Sequence, residues 1–165
     1  MKYIYFCLLF CILFSCRAHN KTEDKKSADI GRIPQFRIAS LDSSRLFNTA
    51  DIKGGKPTIF FYFDPDCEHC RREVQGILKN HDAFDAADIY MIANYPSGSV
   101  STFTKHMGLD KIRNVMVGLD YEFSFYRSYL PEKVPFIAVY NGKRSLVHIY
   151  KGEADIDSIA NSIRQ

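Results

Sequence analysis

Two cysteines three positions apart, Cys67 and Cys70, are the side chains of this chain best suited to chemistry. On a helix that spacing puts both sulfurs on one face, one turn apart, where a disulfide closes with little strain. Asp64-Pro65-Asp66 stands directly before them. Proline suits a turn or a first helical turn, and aspartate accepts from free helix amides. The helix therefore opens at or beside Cys67, where unpaired N–H groups and the helix dipole stabilise a thiolate. A thiolate there attacks a substrate disulfide and forms a mixed disulfide, which Cys70 then resolves. Zinc is the competing use of a close cysteine pair. His19, His69, His81, His106 and His148 include no pair at the three-to-five spacing that usually completes such a site, so no metal is expected. A purely structural disulfide fits poorly, because so short a loop constrains the unfolded chain little.

The elements that must hold this pair are legible on either side of it. Thr58 to Phe63 is an apolar, β-branched and aromatic run that reads as a buried strand, with Phe60, Phe61, Tyr62 and Phe63 in the core. The spacing predicts a helix from Cys67 to about His81, a second buried strand over Asp88–Ala93, and a helix over Ser97–Met107 stopped by Gly108. Val115–Gly118 reads as a short strand and Tyr121–Tyr129 as a helix. The aromatics of that last stretch, Tyr121, Phe123, Phe125, Tyr126 and Tyr129, are expected mainly to pack. Phe136–Tyr140 and Ser145–Tyr150 are strands joined through Asn141-Gly142, a hairpin turn signal, and Ala154–Ile163 is an amphipathic closing helix. Upstream, Gln35–Ser40 and Arg45–Phe47 form a plausible hairpin around residues 41–44. Strand–helix units followed by a hairpin and a last helix make an α/β domain with a mixed sheet.

The amino terminus bounds the compartment. Met1-Lys2 is followed by an almost wholly apolar run from Tyr3 to Phe14, shorter than the roughly 20 residues a membrane-spanning helix needs. Residues 1–15 read as a signal segment. Leu13-Phe14-Ser15-Cys16 resembles a bacterial lipoprotein signal, with Cys16 as the lipidated residue; an ordinary secretion signal and an uncleaved anchor are the alternatives. Residues 16–32 are polar and mixed in charge, a flexible tether, and residues 33–165 form one domain. Of five cysteines, Cys7 and Cys11 leave with the signal and Cys16 carries lipid, so Cys67 and Cys70 are the only thiols of the folded part. The formal net charge is +3, and removal of Lys2 with the signal leaves +2. No basic stripe with interleaved aromatics is present, so nucleic acid is not an expected partner.

The Cys-x-x-Cys at the head of the first long helix, and Val134-Pro135 just before the hairpin, resemble the thioredoxin fold. More narrowly the chain is similar to the TlpA/ResA-like extracytoplasmic thiol–disulfide oxidoreductases. Three features carry that likeness: the N-terminal hairpin, the tether, and the 68-position interval from Cys67 to Pro135, in which Asp88–Asp120 holds an extra strand–helix unit. The resemblance implies a mixed central sheet flanked by helices, and a lipid-anchored monomer in the periplasm or cell envelope. It implies exchange with protein or peptide thiols and disulfides without a bound cofactor, and recharging by a membrane-bound electron donor.

The same resemblance assigns roles to individual residues. Glu73 stands where ResA-like reductases carry a glutamate near the buried cysteine to assist proton transfer; a solvated helix glutamate is the plainer alternative. His69 stands where oxidant relatives carry a histidine that favours the reduced thiolate, whereas Glu68, Asp64 and Asp66 act against a thiolate. Direction thus stays open, with the family context favouring a reductant. Pro135 is expected in cis against the cysteines, and the Val134 backbone is expected to pair with substrate. Asp66 replaces the tryptophan common before the first cysteine, which alters the rim of the site. Two other functions share the fold. A peroxiredoxin-like peroxidase carries threonine or serine where this chain has Asp64. An SCO-like copper-delivery protein would use Cys67, Cys70 and His148, although such proteins space their cysteines by one residue more.

Overall fold

The computed structural model describes residues 29–165; the expectations for the signal, Cys16, His19 and most of the tether lie outside the described residues. The apolar run centred on Phe60 forms strand β3 (Thr58–Tyr62), buried at all five positions. A strand apolar on both faces needs neighbours on both sides and packing above and below. Its companions are β1 (Arg37–Ser40), β2 (Leu46–Asn48), β4 (Asp88–Ala93), β5 (Val115–Leu119), β6 (Phe136–Tyr140) and β7 (Leu146–Lys151). They form a sheet in the order β2-β1-β5-β4-β3-β6-β7. β3, β4 and β5 run parallel; the other pairings are antiparallel. The described residues also hold four α-helices, α1 (Glu68–Lys79), α2 (Ser97–Met107), α3 (Ser124–Tyr129) and α4 (Ile156–Ile163), and three short 3-10 helices. This is the α/β architecture read from the sequence, with the β1–β2 hairpin at one edge and β4, α2 and β5 filling the Asp88–Asp120 interval.

Side chains alternate across β3 and feed two cores. Ile59, Phe61 and Phe63 meet Val74 and Ile77 of α1, Phe103 of α2, and Ile159 and Ile163 of α4. On the other face Phe60 and Tyr62 meet Phe36, Tyr140, and Phe125 and Tyr129 of α3. Tyr62 stacks on Phe125 with ring centroids 4.8 Å apart and an interplanar angle of 5°. Fully burying each such ring is worth roughly 1.5–3 kcal/mol, so β3 is fixed before any polar contact is counted.

Three boundaries differ from expectation for local reasons. α3 begins at Ser124, not Tyr121, because Phe123 adopts a left-handed backbone (φ 52°) and the buried Asp120 carboxylate takes the first amides. Asp120 accepts from the Phe125 N–H at 3.1 Å and the Tyr126 N–H at 3.0 Å. The domain's contacts begin slightly before residue 33: Leu146 N–H donates to the Gly31 carbonyl at 2.9 Å, and the Tyr140 hydroxyl donates to the Ile30 carbonyl at 3.0 Å. In the β6–β7 hairpin Arg144, not Gly142, takes the left-handed position (φ 63°). Asn141 closes the turn, its Oδ1 accepting from the N–H groups of Lys143 and Ser145.

Gly142 is needed for close approach instead. Its carbonyl accepts from the Gly55 N–H at 2.8 Å, and a Cβ added at Gly54 would stand 2.9 Å from that same carbonyl oxygen. Backbone on both sides leaves no flexible group to yield. Gly54→Ala is therefore expected to destabilise the fold by about 1–3 kcal/mol. A urea-unfolding midpoint unchanged from wild type would show that the two loops need not touch.

Candidate active site

Strand register decides what gathers beyond β3. Tyr62 pairs with Phe136 of β6, and Phe136 pairs with Lys151 of β7. The segment leading to Cys67, Pro135 and the loop after Lys151 are thereby brought to the same end of the sheet. The Val134–Pro135 peptide is cis, at the proline expected from the sequence. Gly152 N–H donates to the Pro135 carbonyl at 2.8 Å.

Cys67 occupies the junction of turn and helix. Its N–H donates to the Asp64 carbonyl at 3.1 Å, and its own carbonyl accepts from the Arg71 N–H at 3.1 Å. It is the N-cap residue of α1, in extended backbone, and its sulfur makes no capping bond. Helix geometry leaves the first N–H groups of α1 without intrahelical acceptors beside it. Cys67 is half-buried and Cys70 fully buried, and both are free thiols. Burial pushes the Cys70 thiol far up; the Asp64 backbone N–H works the other way, and Cys67 adds to the rise. One sulfur thus meets solvent at the helix mouth while its partner waits protonated in the core.

The Asp64 carboxylate does something other than cap the helix. Asp64 Oδ1 accepts from the Asp66 N–H at 2.8 Å, folding residues 64–66 into a turn of their own. Asp64 Oδ2 accepts from the Tyr95 hydroxyl at 2.5 Å. That bond holds Tyr95 protonated, its hydroxyl pushed up to about 12 chiefly by the carboxylate. Nothing in the sequence pointed to Tyr95, which reaches Asp64 only because β4 lies beside β3.

Glu73 lies one helical turn beyond Cys70 and is buried, with 2% exposure, so the solvated alternative does not hold. Its Oε2 accepts from the Ala154 N–H at 2.9 Å, and its Oε1 has no partner among the described residues. Burial raises its proton affinity; the Ala154 N–H lowers it, and Glu153 and Asp155 add to the rise. His69 and Glu68 sit on the solvent side of the same first turn, with side chains 61% and 63% exposed. His69 Nδ1 lies 2.7 Å from an Arg72 guanidinium nitrogen and 2.8 Å from Glu153 Oε2. Arg72 also grips Glu153 through Nε at 2.9 Å and a terminal nitrogen at 2.8 Å. Those two partners, Arg72 first, hold the Glu153 carboxyl down to about 2. Glu153 was missed in the sequence; as one acid in the β7–α4 connection it gives no local signal.

The aromatic stretch divides. Phe125 and Tyr129, four apart on α3, are buried, whereas Tyr121, Phe123 and Tyr126 are 48%, 50% and 43% exposed. Phe123 and Tyr126 line a groove of about 330 Å³ together with Asp64, Tyr95, Lys133 and Val134. His148 joins none of this. It pairs with Val139, which pairs with Ile59, roughly 13 Å down β3 from Phe63 at about 3.3 Å per residue. Its ring lies against Tyr150, with centroids 4.3 Å apart. The copper reading thereby loses its third ligand, and among the described residues no three of His, Cys, Asp and Glu gather in metal-binding geometry.

No protein-family model matches the chain, and no curated protein sequence does. Solved structures do. A secreted Mycobacterium tuberculosis disulfide oxidoreductase homologous to E. coli DsbE is similar, with TM-score 0.66 and 20% identity, over 79% of this chain and 95% of that one. StoA from Bacillus subtilis is similar with TM-score 0.60 and 16% identity, over 78% and 96%. A peroxiredoxin-like protein from Aquifex aeolicus gives 0.64 and 13%, over 84% and 87%. The fold is thioredoxin-like, and it is shared by oxidoreductases and peroxiredoxin-like proteins alike.

A carboxyl whose proton affinity is raised by folding stabilises the native state while protonated and loses that contribution as pH rises above its ordinary range. Glu73→Gln removes the titration but keeps an acceptor for Ala154. The variant is expected to match wild type near pH 4 and to become the more stable protein towards pH 8, as read by urea midpoints. Parallel profiles would mean that Glu73 carries no buried charge.

Proposed function

We propose that this chain is an extracytoplasmic thiol–disulfide oxidoreductase, similar to the TlpA/ResA-like branch, that reduces disulfides of protein substrates. One observation carries the reading: a half-buried Cys67 at a helix mouth, one turn from a fully buried Cys70, at the sheet end that also carries a cis Val134–Pro135. That asymmetry fits a nucleophile and a resolving thiol.

The Cys67 thiolate attacks one sulfur of a substrate disulfide; the other substrate sulfur leaves as a thiolate and takes up a proton. The substrate, now bonded to Cys67, lies along the Val134 backbone. Cys70 then gives its proton to Glu73, whose unpartnered Oε1 is the free acceptor, and attacks the Cys67 sulfur. The second substrate thiolate leaves, the substrate has gained two electrons, and Cys67–Cys70 is a disulfide. A membrane-bound dithiol donor returns the two electrons. Glu68 and His69 flank the outer sulfur and tune it. The chain works as a monomer tethered through residues 16–32 to lipid on Cys16. The secreted location of the M. tuberculosis neighbour, as named, is consistent with this compartment.

Insulin reduction by dithiothreitol tests the reading. Wild type is expected to accelerate precipitation of the insulin B chain, and Cys67→Ser to fall to the uncatalysed rate. Cys70→Ser is expected to accumulate a mixed disulfide visible by mass. Activity retained in Cys67→Ser would remove the proposal. In a glutathione titration the couple is expected near the thioredoxin value of about −270 mV, and a poise near the about −120 mV of a strong oxidant would reverse the assigned direction.

A further inference from the structure

We propose that the loop Gly152–Asp155 is a strap that sets the proton affinity of Glu73, with Glu153 as its positioning residue. The inference deepens the preceding reading, in which Glu73 receives the Cys70 proton. Each residue of the strap is bonded to a different part of the molecule. Gly152 N–H reaches the Pro135 carbonyl from a left-handed backbone (φ 91°) that favours glycine. Glu153 takes Arg72 through two nitrogens and meets His69 Nδ1. Ala154 N–H supplies the only hydrogen bond to the Glu73 carboxylate among the described residues, and Asp155 caps α4 by accepting from the Ser158 N–H at 2.9 Å.

Neighbours on the helix therefore meet neighbours on the loop: Arg72 with Glu153, and Glu73 with Ala154. The outer contact is a two-bond ion pair at the surface, and the inner one is a single N–H on a buried carboxyl. The outer pair fixes the loop's register on α1, and that register keeps the N–H in place. A lone donor matters greatly here, because no other group offsets the burial of this carboxyl. Among the described residues, the charged groups acting on Glu73 are Glu153 and Asp155 on the strap, with Arg72 and His69 behind Glu153; Cys70 lies one turn back on its own helix. Lys151, at the end of β7, is engaged by Glu132 at 3.6 Å, and α4 contributes the apolar Ile159 and Ala160 to the same core.

Removing Glu153 has two opposite effects on Glu73. Loss of a nearby negative charge lowers its proton affinity, but that charge is already paired with the Arg72 guanidinium at an open surface and is screened. Release of the Ala154 N–H raises it, and this effect is expected to dominate. The test is a carboxyl-13C titration of Glu73 in the reduced full-length protein. Glu153→Ala is expected to move the Glu73 midpoint upward. It is also expected to shift the pH profile of mixed-disulfide resolution in the same direction, slowing release severalfold at neutral pH. A midpoint that stays or moves down would overturn the strap, since that is the sign of lost charge alone. The double variant Arg72→Ala/Glu153→Ala removes both charges of the outer pair together and frees the loop; it is expected to raise the midpoint too, serves if Glu153→Ala folds poorly, and an unchanged midpoint there would equally overturn the strap. Glu73→Gln separates the two ideas. If it leaves the resolution profile unchanged, Glu73 is not the proton acceptor, while the carboxyl titration still decides whether the strap sets its affinity.

Discussion

The alignment of three strands is the constraint on which the candidate site depends. Tyr62, Phe136 and Lys151 lie across from one another, and each is the last or first residue of its strand. Everything chemical is hung from the next few residues: the turn to Cys67, the cis peptide at Pro135, and the strap beginning at Gly152. A shift of one residue in any pairing would turn alternate side chains to the wrong core and carry one of those segments out of reach. The aromatic packing on both faces of β3 forbids that slip. The site's geometry is thus a by-product of how Phe60, Phe61 and Tyr62 are buried.

Against that apolar background two buried carboxyls stand out, and they are satisfied differently. Asp120 receives a hydroxyl and two amides from the first turn of α3 and so organises a helix start. Glu73 receives one amide and keeps one oxygen unpartnered. The first is a complete structural cap. The second is left incomplete one turn beyond Cys70, and under the proposed mechanism that open oxygen is the proton acceptor. A buried oxygen without a partner typically costs on the order of 1–3 kcal/mol, a cost a purely structural position has no reason to keep.

Much of this was legible in the sequence, for identifiable reasons. β3 announces itself because a strand covered on both faces is apolar without alternation, and the Asp-Pro-Asp that follows can only turn. Cys67 falls at the helix start because the turn leaves nowhere else for the helix to begin. Pro135 is marked by the strand directly after it. What could not be read depends on register between distant segments. Glu153 is an ordinary acid until β7 lies beside β6 and brings it to Arg72. Tyr95 is an ordinary aromatic until β4 lies beside β3. His148 misleads for the same reason: its type suits a soft metal, but pairing with Val139 puts it several residues away from the cysteines. Phe123 and Tyr126 were read as packing because an aromatic-rich helix usually packs; the left-handed turn at Phe123 instead presents them to the groove.

The stitching of the first described residues to the far hairpin has a mechanical consequence. Ile30 and Gly31 are fastened to Tyr140 and Leu146, and Ile33 N–H to the Arg144 carbonyl. Those partners sit where β6 finishes and β7 starts, one full strand length from Pro135. The described residues have two poles, and their first segment, Ile30 to Ile33, is tied to the one away from Cys67 and Cys70. Under the proposed lipid tether, a domain held by that handle would turn Cys67 and Cys70 outward, towards whatever drifts past rather than towards the membrane.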